Sequence, residues 1–315
     1  MEVNRITDDF DTFVKKITIN EKEKNDIIDK HNNLSNMLRE DTPEGYEIDR
    51  INLSGSYAKH TVLNEKDKDK LPDVDMIVIL KNPPTSNKTN KDFFDYFISK
   101  KGKVTKNIRQ QSNSIGLIYS GISVDIVLAK EENGKLFIAS DKEGCWIESN
   151  ALVHVDYMKK QQKKYEINYH SLMKLFKYLN KYILDNKIKS YTLEMLIHQS
   201  VPEYKVDQTL PEMFKDTLGN ILSIEKITDI RDCSDESKCG YDKKDEDRFN
   251  YFQNELEDLY TLAVSACNGL RKDWEAIFGE DFPKQPSIKV ENNNNYKKNQ
   301  TPWCSYEWKT NNIIV

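Results

Sequence analysis

Apolar positions fall at helical spacing over the first forty residues. Phe10, Phe13, Val14 and Ile17 stand three and four apart, and Ile27, Ile28, His31 and Leu34 repeat the pattern on a second segment. Asn20, with Glu23 three residues on, can cap that second helix. Near position 46 the period changes. Residues 46–53 alternate loosely, as a strand does, and 73–80 (DVDMIVIL) read as a buried strand rich in β-branched residues. A helix is expected over 91–101, then strands over 114–119 and 122–129 joined by a tight turn at Ser120-Gly121. From about Asn150 the pattern is helical. Leu172, Leu175, Phe176, Leu179 and Ile183 form one apolar stripe, and further helices are expected over 192–200, 247–268 and 271–278. The charged stretch 229–247 reads as a mobile loop, and the Asn/Lys-rich 291–300 as part of a poorly ordered or extended tail. The expected organisation is α+β: a mixed sheet with N-terminal helices over 1–150, a helical domain over 151–290, and a tail over 291–315.

Composition narrows the class of protein. With 315 residues, 37% hydrophobic and 10% aromatic, the chain can bury a sizeable core and is not disordered overall. The longest strictly apolar run, Met76 to Leu80, is far too short to span a bilayer, and the start MEVNRITDDF has no apolar stretch of a secretory signal. A cytoplasmic protein with no membrane partner is expected. Five scattered cysteines, an odd number, suit a reducing compartment. Cys233 and Cys239 lie six apart with no Cys or His pair at ligand spacing, so no zinc site is expected. The net charge of −5 excludes a polybasic protein but leaves local patches open.

Three acids stand where acids are costly. Asp73 and Asp75 are two apart on a strand and share one face, while Val74, Met76 and Val78 take the other. Asp125 sits between Val124 and Ile126 in the same way. Carboxylates buried side by side without compensation cost several kcal/mol, roughly. Three of them on two strands suit two hard divalent cations bound through oxygen, the arrangement for in-line phosphoryl transfer. Upstream, Gly55-Ser56 at a strand-to-helix turn allows close backbone approach, and its hydroxyl and free N–H groups can hold a phosphate. Each feature alone is common in proteins without function. Their order along predicted strands is what singles them out.

Gly-Ser, a spacer, Asp-x-Asp on one strand and a third aspartate on another resemble the signature of DNA polymerase β-like nucleotidyltransferases. Within that superfamily the chain is similar to the bacterial CD-NTases, cyclic GMP-AMP synthase-like enzymes of the DncV type that make cyclic oligonucleotides in anti-phage (CBASS) systems. Gly55-Ser56-Tyr57-Ala58-Lys59-His60-Thr61 is similar to that family's Gly-Ser-aromatic-x-basic-Gly-Thr. The strand SGISVDIVLA (120–129), the WIESN segment (146–150), the helix around Lys177, the Ser190-Tyr191-x-x-Glu194 helix start and the segment from Trp274 to Pro283 extend the match over roughly 50–285. His60, Leu128 and Ala151 depart from the family's usual Gly, Pro and Pro.

The resemblance implies a polymerase β-like core, a mixed sheet flanked by helices, in a bilobed molecule whose C-terminal helical domain closes the nucleotide cleft. It implies that Asp73, Asp75 and Asp125 bind two Mg2+ (Mn2+ as a substitute), with Asp125 nearest the attacking hydroxyl. Gly55 and Ser56 would contact the donor triphosphate, Lys177 would neutralise its outer oxygens, Ser190 would bond them, and Tyr191 would stack on a base. The implied reaction joins nucleoside triphosphates (ATP, GTP or a pyrimidine nucleotide) into a cyclic di- or trinucleotide, releasing pyrophosphate, and the product acts on a separate effector protein. Lys174, Lys177 and Lys181 share a helix face opposite the apolar stripe, and Lys159, Lys160, Lys163, Lys164, Lys187 and Lys189 add charge around it, a surface that can attract a nucleic-acid activator. Gln110, Gln111, Asn113 and Asn150 can read base edges. Two other readings stay open: a template-independent RNA nucleotidyltransferase, and a catalytically idle nucleic-acid sensor.

Overall fold

The computed structural model describes residues 2–284 apart from 68–69, 101–104, 167 and 204. The tail expected over 291–315, Cys304 within it, and the end of the helix expected over 91–101 lie outside the described residues.

Two helices open the chain, α1 (Glu2–Ile17) and α2 (Glu21–Glu40). The Asn20 side chain accepts from the Glu23 backbone N–H at 2.9 Å and the Glu23 carboxylate accepts from the Asn20 N–H at 3.0 Å, the reciprocal cap the sequence predicts. The α/β half follows: β1 (Ile48–Ser54), α3 (Gly55–Ala58), β2 (Asp73–Leu80), α4 (Ser86–Ser99), β3 (Thr105–Gln110), β4 (Ile115–Tyr119), β5 (Ile122–Glu132), β6 (Lys135–Ser140) and β7 (Cys145–Ser149). The change to helices falls at 150, with α5 (Ala151–Tyr165), α6 (Asn168–Tyr178), a π-helical turn over Leu179–Ile183, α7 (Ser190–Ser200) and α8 (Leu210–Leu222). The charged stretch expected to be a mobile loop instead forms β8 (Arg231–Asp232), β9 (Asp235–Cys239) and a 3-10 turn over Lys243–Arg248, before α9 (Phe249–Cys267) and α10 (Lys272–Phe278).

The seven strands β1–β7 make one mixed sheet in the order β1-β2-β5-β4-β3, with β6 joined to β5 and β7 to β6. Among the described residues, only β2 and β5 pair in parallel. The β4–β5 hairpin turns at Ser120 and Gly121, both with positive φ (47° and 85°), the two-residue geometry that matches strand twist.

Val74, Met76, Val78, Val124 and Ile126 are buried beneath α2 and α4 with Leu34, Phe93 and Phe97. A second, larger core joins the C-terminal helices, and α1 belongs to it. Phe10 packs edge-on against Trp274 at 4.8 Å and Phe13 against Tyr178 at 5.0 Å. The first helix of the chain therefore braces the helical half rather than the sheet.

Candidate active site

Strand register brings the acids together. On the parallel pair β2 and β5, Asp75 stands opposite Asp125 and Asp73 opposite Ser123. Alternation puts the three aspartates on one sheet face, where all of them line a cavity of about 1060 Å³. Further along the same face Ile77 and Ile79 are buried against Ala129 and Leu136. The carboxylates thus occupy only the stretch where the face opens.

The glycine turn is built against the acids. β1 ends with Ser54 opposite Asp75, and Gly55 then takes φ +61° to start α3. A Cβ on Gly55 would lie 1.7 Å from Asp75 Oδ2, so only glycine fits here on both counts. Ser56 follows and lines both the acid cavity and an adjoining one of about 590 Å³, together with Asp73, Lys177 and Ser190.

Electrostatics mark the same place. Burial, then the charges of Asp125 and Asp73, push the Asp75 carboxyl up to about 6, against the pull of Lys59 and Lys177. Burial raises Asp125 as well, opposed by Arg109 and by a hydrogen bond from Gln111 Nε2 at 3.1 Å. Lys59 and Lys177 relieve the repulsion only in part, because both also face the buried Glu194 carboxylate: Lys59 Nζ lies 2.5 Å and Lys177 Nζ 2.7 Å from it. A crowded set of hard oxygen donors short of positive charge fits a divalent cation of the Mg2+ or Mn2+ type.

The helical half supplies the opposite wall. Ser190 opens α7, and the buried Asp245 fixes that helix start by accepting from the Lys189 N–H at 3.0 Å and from Thr192 Oγ1 at 2.5 Å. Tyr191 lines the cavity with its hydroxyl tied down, donating to Asp232 Oδ2 at 2.9 Å.

The model of the Second Messenger Oligonucleotide or Dinucleotide Synthetase (SMODS) domain matches residues 3–162, just over half of the 315-residue chain. The chain belongs to this family. It is a nucleotidyltransferase of the group that makes second-messenger di- or oligonucleotides, and its mixed sheet flanked by helices is the fold of these CD-NTases. Among solved structures it is similar to E. coli MS115-1 CdnC with ATP (17% identity over 88% of this chain and 98% of that one, TM-score 0.64). It is also similar to the Vibrio cholerae cyclic AMP-GMP synthase DncV (12%, 86% and 93%, 0.68). Bradyrhizobium diazoefficiens CdnG with GTP gives 11%, 87% and 95%, and 0.64. No curated protein matches the chain by sequence. No helix among the described residues is long and apolar enough to cross a membrane.

All eight residues singled out in the sequence of this CD-NTase (Gly55, Ser56, Asp73, Asp75, Asp125, Lys177, Ser190 and Tyr191) line the one cavity. The lysine face is less uniform than its spacing suggests. Lys177 is nearly buried, Lys181 is held by Glu65 at 2.5 Å, and Lys174 lines a separate small cavity beside His60. The candidate base readers also separate: Gln111 reaches Asp125 in the cavity, whereas Gln110 donates to Asp141 at 2.6 Å.

Sequence reasoning assigned no role to Lys59, Arg109, Glu194 or Asp232. Lys59 and Glu194 stand inside motifs already quoted, but their pairing spans 135 positions and has no local signal. No Cys or His pair stands at ligand spacing from Cys233 along the chain, yet the fold brings His154, Asp232 and Cys233 together, with ligand-type atoms all within 4.8 Å. Hydrogen bonds account for this cluster. Asp232 Oδ1 accepts from the Ser234 N–H and hydroxyl at 2.8 and 2.5 Å, and Oδ2 accepts from Tyr191 and faces His154 Nε2 at 2.9 Å. Burial meanwhile pushes the Cys233 thiol up to about 12, which keeps it protonated.

Proposed function

We propose that this enzyme condenses nucleoside triphosphates into a cyclic di- or trinucleotide with release of pyrophosphate, and that the product signals to a separate effector protein in anti-phage defence. The observation that carries the reading is the convergence of three strand aspartates on one cavity, with the Gly55-Ser56 turn built against Asp75. The CdnC and CdnG structures with ATP and GTP support nucleoside triphosphates as substrates.

Asp73, Asp75 and Asp125 would hold two divalent cations, Mg2+ or Mn2+. When bound, the cations neutralise the donor's triphosphate and make the acceptor hydroxyl more acidic. Gly55 and Ser56 seat the phosphate tail at the start of α3. Lys59 and Lys177 set positive charge beneath it, and Ser190 adds a hydroxyl from the helical half. Asp125 takes the proton of the attacking hydroxyl, and Arg109 and Gln111 hold its carboxylate in place. Tyr191, pinned through its hydroxyl, offers its ring to a base. Positioning and charge neutralisation supply most of the rate. In this reading residues 1–150 carry the chemistry and 151–290 close over the nucleotide. The exposed lysines of α5 (Lys159, Lys160, Lys163 and Lys164) are the face left for a nucleic-acid activator.

The test is mass spectrometry of products from the four nucleoside triphosphates with Mg2+ or Mn2+. A phosphatase-resistant cyclic product and its loss in Asp73→Asn are expected. Unchanged pyrophosphate release by Asp73→Asn would overturn the reading, and lengthening of added RNA would replace it with a template-independent polymerase.

A further inference from the structure

Glu194 is an expensive residue to place where it is. It is 4% exposed, in the first turns of α7, and its two oxygens take one lysine each: Oε1 lies 2.7 Å from Lys177 Nζ and Oε2 2.5 Å from Lys59 Nζ. The lysines are themselves only 10% and 11% exposed. A buried ion cluster is weak evidence for stability, since an apolar replacement often does as well. Its retention calls for another reason.

The connections supply one. Lys59 ends α3, where its backbone N–H donates to Gly55 O at 3.2 Å. Lys177 also donates to Thr61 Oγ1 at 2.8 Å, and the Thr61 N–H donates to Ser56 O at 2.9 Å. One carboxylate from the helical half therefore grips the glycine-serine turn from both ends. Two ammoniums against one carboxylate leave a single positive charge on the cavity wall, beside Ser56 and Ser190. Lys177 alone reaches Glu194 from the same half of the chain, whereas Lys59 crosses from the other.

We propose that Glu194, at the wall of the same cavity, is a positioning residue: it acts through Lys59 and Lys177, holding them side by side under the phosphate tail while tying the Gly55-Ser56 turn to α7. Both its oxygens are occupied and it is buried, which removes it as an acid or base. Without its charge the two ammoniums repel at close range, and at least one leaves the cavity wall. The effect falls on nucleotide binding more than on the chemical step.

The inference rests on the proposed nucleotidyl transfer, and the experiment separates the two. Pyrophosphate release from ATP and GTP is measured for the full chain, Glu194→Gln, Glu194→Asp, Lys59→Met and the double variant Glu194→Gln/Lys59→Met, each melted beforehand. Glu194→Gln is expected to raise KM at least tenfold with kcat within about threefold. Glu194→Asp, which keeps the charge but cannot span both lysines, is expected to raise KM three- to fivefold. Removing Lys59 from the Gln variant relieves the repulsion, so the double variant is expected to recover at least threefold in KM over Glu194→Gln. A merely structural role would give no such recovery. Wild-type KM in both single Glu194 variants, or a double variant no better than Glu194→Gln, overturns the proposal. A wild-type chain that releases no pyrophosphate overturns the function it rests on.

Discussion

Asp75 illustrates how a site residue works against the fold that holds it. Its carboxyl titrates near 6 in the folded chain, from an ordinary 3.8, because burial and the neighbouring Asp125 and Asp73 oppose its charge. A group whose folded pKa is raised in this way loses stability as pH climbs from about 4 to 6, because the unfolded chain gives up its proton first. At pH 7 the ionised carboxylate costs about 3 kcal/mol. Asp75→Asn is therefore expected to raise the melting temperature in metal-free buffer at pH 7 by a few degrees while abolishing turnover. Mg2+ should then stabilise the wild type and not the variant, which calorimetry with and without the ion would show. Gly55→Ala makes the complementary case: its Cβ would overlap Asp75 Oδ2 at φ +61°. Loss of activity by at least a hundredfold together with a lower melting temperature is expected, and a near-wild-type rate would refute the close fit of turn and acid. Both residues were legible in the sequence for one reason, that each breaks a local rule: acids among β-branched neighbours, and glycine where a strand becomes a helix. Glu194 and Lys59 break no local rule, since one buried helix acid and one lysine after a short turn look ordinary until the fold pairs them.

Among the elements, most of those with strong apolar period were readable, although α8 and β6 carry such a period and were not named, and those that borrow stability from neighbours were not. β2, β4 and β5 carry their own hydrophobic face, whereas β3 (TKNIRQ) and β7 (CWIES) are half polar and exist because β4 and β6 offer free edges. The stretch 229–247 misled for the opposite reason. Its charges read as solvated, but Asp232 is 4% exposed and Asp245 fully buried, each satisfying hydroxyl or N–H donors of α7. That hairpin is the element that orients Tyr191. Asp232→Ala removes the acceptor that the Tyr191 hydroxyl shares with His154: Tyr191 keeps only its longer bond to the Cys239 carbonyl at 3.2 Å, and His154 loses its carboxylate partner, where a buried polar group without a partner costs about 1–3 kcal/mol. The expected outcome is a KM for nucleotide raised about three- to tenfold and a lower melting temperature, with kcat moved less. An unchanged KM would show that the hairpin has no part in seating the base.

At the scale of the whole molecule, a buried histidine, His198, and a half-buried one, His170, set a limit on the acid side. Burial lowers His198 to about 3, and burial with the charges of His60 and Lys174 lowers His170 to about 4, both from 6.5. Each stays neutral in the fold while the unfolded chain takes up a proton below pH 6.5, so the stability they contribute is complete above that pH and is lost as pH falls. Asp75 works the other way across part of the window, but its displacement, from 3.8 to about 6, is smaller than that of either histidine. The histidines, His198 above all, therefore win between pH 7 and 5. Glu194 adds to the same trend only at lower pH: burial pushes its carboxyl up, Lys177 and Lys59 outweigh burial, and its folded pKa lies well below the ordinary 4.5. Calorimetric melts in metal-free buffer should fall steadily from pH 7 to 5, and His198→Asn should flatten the slope. A melting temperature that is level or rising over that range would mean that the acids of the cavity, rather than the histidines behind it, govern how this fold responds to pH. His198 faces Tyr169 and lies close enough to Glu194 and Lys59 to feel their charges. Acid unfolding would thus begin in the layer that holds the two lysines in place, and nucleotide affinity should weaken before the sheet and its three aspartates come apart.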